Sequence, residues 1–294
     1  MVKNTIGDMF GINFLVINLI NCLQPTNTFG KRRMTEKSKT IYLKDYKKPT
    51  YLIKETHLVF ELDYVDGIDQ SENYTRVNSK LHFKRNAVDN ELDDDKQNQL
   101  KLHGGNFELL SLAINGKKLE VCDYSKTDEY LILYNLENDF TLEVETKLQP
   151  QKNTALEGLY KSSGNFCTQC EAQGFRRITY YLDQPDIMSI FTTKIIADKK
   201  LYPVLLSNGN PIEKGDLENG KHFVTWLDPF KKPSYLFALV AGDLSQISDQ
   251  FITCTDRKID LHIYVEHKNA DKCAHAMESL KKSMRWDEQV YGLE

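Results

Sequence analysis

Residues 166–191 read FCTQCEAQGFRRITYYLDQPDIMSIF, and no other stretch of the chain holds polar chemistry at this density. Within it, Gln169 and Glu171 are two positions apart, so both side chains would leave the same face of an extended strand. A carboxylate and an amide oxygen on one face suit a cationic group, because an ammonium has three donors and no acceptor. A structural ion pair between Glu171 and Arg176 or Arg177 is the alternative. The residues alone leave both interpretations open.

Two further features of this stretch have a structural interpretation beside a functional one. Tyr180 and Tyr181 could form an aromatic shelf that faces a substrate, but aromatic pairs of this kind are typical of a core. Cys167 and Cys170 have a spacing that binds zinc or supports redox chemistry, but a structural zinc site needs a second ligand pair, and the sequence has none. The other four cysteines are scattered, which favours reduced thiols in a cytosolic protein.

Around this stretch, hydrophobic residues alternate with polar ones, which is typical of half-buried strands. The alternating hydrophobic positions are Leu58, Phe60, Leu62 and Tyr64, then Val77, Leu81 and Phe83, and then Phe140, Leu142, Val144 and Leu148. A strand resumes over residues 190–196, and the nearly continuous apolar run 235–241 predicts a buried central strand. Asn-Gly pairs at 115–116, 208–209 and 219–220 predict tight turns, and we expect hairpins over residues 201–212 and 217–227. The sequence therefore predicts a mostly β protein built on a large antiparallel sheet.

The C-terminal part of the chain has a different pattern, and we place a domain boundary after Asp243. Two strands at 251–255 and 258–265 and a helix at 270–291 are predicted there. Asn269 is the expected N-cap of that helix and Gly292 its C-cap. One side of the helix carries Cys273, Met277, Leu280 and Met284. A ribbon and one helix have little of their own to pack against, so residues 244–294 either fold back on the β-domain or belong to a domain that is incomplete here.

Length and charge limit the function classes. The chain has 294 residues, of which 40% are hydrophobic and 27% charged, so it can bury a sizeable core. The net charge of −4 and the pI of about 6.0 show no basic excess, and we expect no nucleic-acid partner. The acidic run at 89–95 is interpreted as a solvated loop.

The first 33 residues do not fit the rest of the chain. An apolar stretch at 9–23 is interrupted by three asparagines and is too short to span a bilayer as a helix. It resembles a poor signal peptide, which would mean an exported protein. We favour Met34 as the natural start and a cytoplasmic protein without a membrane partner, and we expect residues 1–33 to be a disordered or mis-started tail.

A series of short motifs resembles one known family. The motifs are TALEGLY at 154–160, CTQCEA at 167–172, RR at 176–177, DQPD at 183–186, FTTKI at 191–195, LSNGN at 206–210, DPF at 228–230 and YLFALVAGD at 235–243. In this order they resemble the N-terminal domain of aminopeptidase N, the zinc exopeptidases of the gluzincin group, in particular its bacterial branch. The resemblance covers residues 34–294.

The resemblance implies a fold and a role for the central pair. Residues 34–243 would be the β-rich N-terminal domain, and residues 244–294 the first strands and helix of a thermolysin-like α/β catalytic domain. In this family the residues that correspond to Gln169 and Glu171 reach into the active site, and the Glu helps to bind the free α-amino group of the peptide. Gln173 departs from the family, where an acidic residue is common. The complete enzyme would use zinc to remove N-terminal amino acids from peptides and would be monomeric.

The chain lacks the chemistry that breaks the peptide bond. Its seven histidines include no two that are four positions apart, so the His-Glu-x-x-His zinc motif is absent, as are Gly-Ala-Met-Glu-Asn and Gly-x-Ser-x-Gly. We therefore expect no catalytic and no metal-binding residue in this chain, and no activity from it alone. The alternative is a non-catalytic β-rich binding or scaffolding module derived from the same family.

Overall fold

Strands make up most of the structure, a computed structural model that describes residues 42–66, 69–86 and 98–294. The predictions for residues 1–33, for Met34 as a start and for the acidic run 89–95 lie outside these residues. In chain order the strands are β1 (Tyr51–Asp66), β2 (Asp69–Arg85), β3 (Leu100–His103), β4 (Glu108–Ile114), β5 (Lys117–Lys118), β6 (Tyr124–Lys126), β7 (Tyr130–Leu133), β8 (Asp139–Leu148), β9 (Gly158–Ser162), β10 (Asn165–Gln169), β11 (Met188–Asp198), β12 (Val204–Ser207), β13 (Asn210–Asp216), β14 (Lys221–Pro233), β15 (Leu239–Gly242), β16 (Ser245–Ile252) and β17 (Lys258–Val265). The helix α1 (Ala274–Tyr291) follows them.

Four sheets are formed in the described part of the chain. The largest has eight strands in the order β13-β14-β11-β1-β2-β8-β4-β5, and a four-stranded sheet has the order β12-β15-β10-β9. A three-stranded sheet has the order β3-β7-β6, and β16 and β17 form a two-stranded ribbon. The large sheet is antiparallel except where β1 runs parallel to β11, with Glu55 opposite Ile190. The mostly β fold predicted from the alternating pattern is confirmed.

The alternating residues occupy the positions expected of them. Leu58, Phe60 and Leu62 on β1 are at most 1% exposed, while the side chain of Tyr64 lies outside the described part. The hydrophobic runs of β2 and β8 are buried in the same way. Because side chains alternate between the two faces of a strand, one face of the large sheet is continuous with the core.

One predicted hairpin is wrong, and another is placed differently. The turn at 208–209 joins β12 to β13, but these two strands belong to different sheets and do not pair, so there is no hairpin over residues 201–212. Gly209 is needed there because its φ is +83° and a Cβ would lie 2.1 Å from the Leu227 carbonyl oxygen. The turn at Asn219 and Gly220 does join two paired strands, β13 and β14. These strands extend beyond residues 217–227, to which the predicted hairpin was limited.

The buried strand near residue 240 begins later than predicted. Ser234–Leu236 forms a 3₁₀ turn, so β15 begins only at Leu239. All four residues of β15 are buried, and the strand lies between β12 and β10, as expected of a central strand.

The tail has the predicted ribbon and helix, with shifted ends. β16 begins at Ser245, and α1 begins at Ala274 because His267–Lys272 forms a 3₁₀ segment. The prediction that Asn269 is the N-cap is therefore wrong. The prediction for the other end is confirmed, because Gly292 ends the helix with a φ of 64°. No helix in the described part is long and apolar enough to cross a membrane.

The buried side chains form two separate clusters. The main core joins the eight-, four- and three-stranded sheets through residues such as Phe60, Leu102 and Leu239. The smaller tail core consists of Phe251, Ile259, Leu261, Ile263, Val265, Cys273 and Met277, with Leu280 and Met284 packed against it. The predicted apolar side of the helix therefore covers the ribbon. Leu244 and Tyr264 pack against the main core, and the boundary after Asp243 stays a prediction.

Candidate amine-binding site

Gln169 is the last residue of β10, a strand that is held on both sides. β10 pairs with β9, where Gln169 lies opposite Gly158, and with β15. The chain then turns, and Glu171 lies in the turn rather than on the strand. The prediction that the two side chains share one face of an extended strand is therefore wrong.

The turn over residues 170–174 is closed by local contacts. The Gly174 amide donates to the carbonyl of Cys170, which is buried, at 2.8 Å. A Cβ on Gly174 would lie 2.5 Å from the Gln169 carbonyl oxygen, so only glycine fits without displacement. The peptide bond between Ala172 and Gln173 is cis.

A hydrogen bond that the spacing did not predict links the Gln169 side chain to the Glu171 backbone. The side-chain amide of Gln169 donates through Nε2 to the backbone oxygen of Glu171 at 2.9 Å. Within the described residues, neither the Gln169 amide oxygen nor the Glu171 carboxylate accepts a hydrogen bond, and no cation lies at ion-pair distance from that carboxylate. Glu171 is exposed. Both groups are therefore unpaired acceptors within the described residues, and of the two only Glu171 lines the cleft described below.

Arg176 forms an ion pair with the buried carboxylate of Asp183. Its backbone amide and its Nε both donate to Oδ2 of Asp183, at 3.1 and 3.0 Å. Asp183 is 1% exposed, and its other oxygen accepts the Ser234 hydroxyl at 2.8 Å. Nη2 of Arg176 donates to the Gln173 side-chain oxygen at 2.5 Å and to the Asp183 backbone oxygen at 3.2 Å.

Arg177 has a different partner. Its Nε lies 2.7 Å from a carboxylate oxygen of Glu157, and this pair is partly exposed. In the described structure, neither arginine is the ion-pair partner of Glu171 that the alternative interpretation required.

A cleft of about 230 Å³ lies beside the turn. It is lined by Glu171, Ala172, Gln173, Asp183, Gln184, Pro185, Ser234 and Tyr235. Three of these residues, Asp183, Gln184 and Pro185, come from the motif at 183–186. The sequence predicted no partner for Asp183. It also gave no signal for Ser234 as a residue of the cleft, because Ser234 is 51 residues away from Asp183 along the chain.

The two tyrosines belong to the core and not to the cleft. Tyr180 is 4% exposed, and Tyr181 is fully buried. The Tyr181 hydroxyl lies 3.1 Å from the Thr56 hydroxyl, and the ring packs edge-on against Phe175. Burial raises the pKa of Tyr180 to about 12, so this phenol stays neutral at physiological pH.

The Cys-x-x-Cys pair forms no disulfide. Cys167 is half-buried and Cys170 is 2% exposed. Burial raises the pKa of the Cys170 thiol, which disfavours the thiolate that would react or bind a metal. Among the described residues, no three His, Cys, Asp or Glu side chains come together in a group that could hold a metal ion. No ligand set for zinc can therefore be named in this part of the chain.

Two of the curated proteins that this chain is similar to are aminopeptidases N. Aminopeptidase N of Escherichia coli strain K12 is 45% identical over 261 residues, which is 89% of this chain and 28% of that protein. Aminopeptidase N of Caulobacter vibrioides is 43% identical over 260 residues, again with 28% of that protein covered. The chain thus spans about 28% of the length of the curated relatives that it matches.

Solved structures show the same relation. The crystal structure of Legionella pneumophila aminopeptidase A in complex with aspartic acid matches with a TM-score of 0.78 and 37% identity, over 86% of this chain and 28% of that one. An M1 zinc metallopeptidase from Deinococcus radiodurans matches in fold, with a TM-score of 0.59 and 13% identity over 75% of this chain and 48% of that one. Residues 73–236, more than half of the chain, match the family described as the Peptidase M1 N-terminal domain. The chain belongs to this family.

Proposed function

We propose that this chain is the substrate-binding N-terminal part of a zinc aminopeptidase, and that Glu171 and Gln169 bind the free α-ammonium of a peptide. One observation carries the proposal. The Glu171 carboxylate lies beside a cleft without a cationic partner among the described residues, although two arginines lie five and six positions further along. Family membership supports the proposal, since the relatives are named as aminopeptidases.

The chemistry of the two groups fits an ammonium. The carboxylate of Glu171 and the amide oxygen of Gln169 are acceptors, and an ammonium offers three donors. Hydrogen bonds between charged groups are about twice as strong as neutral ones, so the carboxylate would supply most of the attraction. An N-acetylated peptide has no charge at this place and would gain little from the site.

The exposure of Glu171 sets the expected strength. An exposed ion pair contributes about 0.2–1 kcal/mol. We therefore expect this chain alone to bind amines only weakly, with a dissociation constant on the order of millimolar or above. Further protein that covers the cleft would exclude water and strengthen the same contact.

The proposal assigns binding to this chain and cleavage to other residues. Zinc would belong to the complete enzyme, and no residue of this chain is proposed to hold it. Peptides with a free N-terminus are the proposed substrates. A monomeric complete enzyme in the cytoplasm stays a prediction.

The proposal can be tested on the full chain by a nuclear magnetic resonance titration. L-leucine amide should shift the backbone amide signals of residues 169–173, whereas N-acetyl-L-leucine amide should not. Glu171→Gln keeps the shape of the side chain and removes its charge, so it should raise the dissociation constant of L-leucine amide about two- to fivefold. Glu157→Gln removes a neighbouring carboxylate outside the cleft and should bind like the unchanged protein. Equal binding of the acetylated compound, or unchanged binding by Glu171→Gln, would refute the proposal.

A further inference from the structure

We propose that Asp183 is a positioning residue of the amine site, and that it acts by holding the Arg176 guanidinium away from Glu171. The carboxylate of Glu171 then stays available to a substrate ammonium. This inference rests on the proposed function of Glu171 and adds a second carboxylate with a different task.

Arg176 lies within reach of the turn that carries Glu171. Its Nη2 already donates to the side chain of Gln173, two residues further along the same turn. Glu171, Gln173 and Asp183 line the same cleft. A guanidinium that left Asp183 would therefore find the Glu171 carboxylate as an unpaired acceptor nearby.

The burial and the hydrogen bonds of Asp183 stabilise its contact with the Arg176 guanidinium. It is 1% exposed, and it accepts the Nε of Arg176, the backbone amide of Arg176 and the hydroxyl of Ser234. A buried carboxylate without a cation is strongly unfavourable, so the ion pair between Asp183 and Arg176 is favoured over its separated form. The geometry fixes the direction of the guanidinium, with Nε toward Asp183 and Nη2 toward Gln173.

The consequence for binding follows from competition. A tethered group acts at an effective concentration of about a millimolar or more. An amine that binds with millimolar affinity would have to displace a guanidinium present at a comparable effective concentration. Holding Arg176 elsewhere removes this competitor from the site.

Arg177 offers a matched comparison within the same segment. It pairs with Glu157, and it lines another pocket together with residues such as Asn106 and Pro150. Releasing Arg177 by Glu157→Gln therefore frees a neighbouring guanidinium on a different part of the surface, and it should not affect the amine site.

The test measures the dissociation constant of L-leucine amide for the full chain, from the amide signals of residues 169–173. Asp183→Asn keeps the shape and one of the two acceptor oxygens but removes the charge. It should raise the dissociation constant about two- to fivefold, the range that an exposed ion pair accounts for. Adding Arg176→Gln to Asp183→Asn should restore the original value, because the competing cation is gone. Glu157→Gln should change nothing.

A second pair of variants tests the competition without touching the buried pair. Ala172 is exposed and adjacent to Glu171, so Ala172→Arg places an unrestrained guanidinium beside that carboxylate. The dissociation constant of L-leucine amide for Ala172→Arg should be about two- to fivefold higher than that for Ala172→Gln, which adds a neutral side chain at the same place in the cleft. This comparison stands even where Asp183→Asn fails to fold, as judged from the dispersion of the amide spectrum.

The outcomes separate this inference from the proposed function. If Glu171→Gln does not change binding, the proposed function fails. If Glu171→Gln weakens binding but Asp183→Asn binds normally, the inference alone is overturned. It is also overturned if Arg176→Gln does not rescue Asp183→Asn, because Asp183 then acts only as part of the fold. Equal dissociation constants for Ala172→Arg and Ala172→Gln would overturn it as well.

Discussion

At the scale of single residues, His103 links the three-stranded sheet to the segment that carries Arg176. Its backbone amide and carbonyl both bond to Tyr181, and two residues further along the Gly105 amide donates to the Arg176 backbone oxygen at 3.1 Å. Burial is the largest cause that lowers the pKa of His103, and the Arg176 guanidinium lowers it further, against a smaller opposing effect of Asp183. Burial and the Arg176 guanidinium therefore both disfavour the protonated imidazole in the folded state.

This lowered pKa predicts an acid-sensitive contribution to stability. Between the folded pKa and the ordinary value of 6.5, the unfolded chain binds more protons than the folded chain, so the free energy of unfolding rises with pH in that window. The contribution is present above pH 6.5 and is lost as the pH falls below it. His103→Gln cannot be protonated, so urea unfolding at pH 7 and pH 5 should show a smaller loss than in the unchanged protein. An equal loss in both proteins would contradict this account.

The residues of the site show what the sequence could predict. Gln169 and Glu171 were identified from their types and from the family resemblance, and the structure brings them together through a hydrogen bond to the backbone rather than through strand geometry. The partners of Asp183 were not predictable, because Ser234 lies 51 residues away along the chain. Spacing along the chain carries no information about such contacts.

At the scale of elements, the turn over residues 170–174 depends on Gly174 for space. Gly174→Ala should displace the turn, because its Cβ would lie 2.5 Å from the Gln169 carbonyl oxygen, and we expect a loss of about 1–3 kcal/mol in the free energy of unfolding. It should also weaken the binding of L-leucine amide. Urea unfolding and the amide titration measure the two effects.

Gly220→Ala is the matched control for this prediction. Gly220 has a φ of +73° with no atom near its Cβ position, so alanine there costs about 1–2 kcal/mol through backbone strain alone. The substitution lies in the β13–β14 turn and should leave amine binding unchanged. Equal effects of the two substitutions on binding would show that Gly174 acts only through global stability.

The strands themselves were predictable to different degrees. The hydrophobic alternation of β1, β2 and β8 is a local signal, and the structure confirms it. Pairing between distant strands is not local. β1 pairs in parallel with β11, and β12 pairs with β15 instead of with β13, so an Asn-Gly turn at 208–209 could not reveal its partners. The 3₁₀ segment His267–Lys272 similarly took the place of the expected first turn of the helix.

At the scale of the whole molecule, the chain has a large core and a small tail core. Strand β10, the turn with Glu171 and the wall with Asp183 all belong to the part built on the main core. The candidate site is thus carried by the β-rich part of the chain. The relatives extend well beyond the 28% of their length that this chain matches, which is where the proposal expects the residues that cleave the peptide.

The most direct measurement of the central claim places this chain in a complete relative. In Escherichia coli aminopeptidase N, the matching segment of about 260 residues, 45% identical, can be replaced by the sequence of this chain. The hydrolysis of L-alanine p-nitroanilide by this chimera then gives kcat/KM with and without Glu171→Gln, with Glu157→Gln as the control. A lost charged hydrogen bond costs about 1.5–3 kcal/mol, so kcat/KM should fall about 10- to 100-fold for Glu171→Gln and stay unchanged for Glu157→Gln. An unchanged kcat/KM for Glu171→Gln would contradict the account.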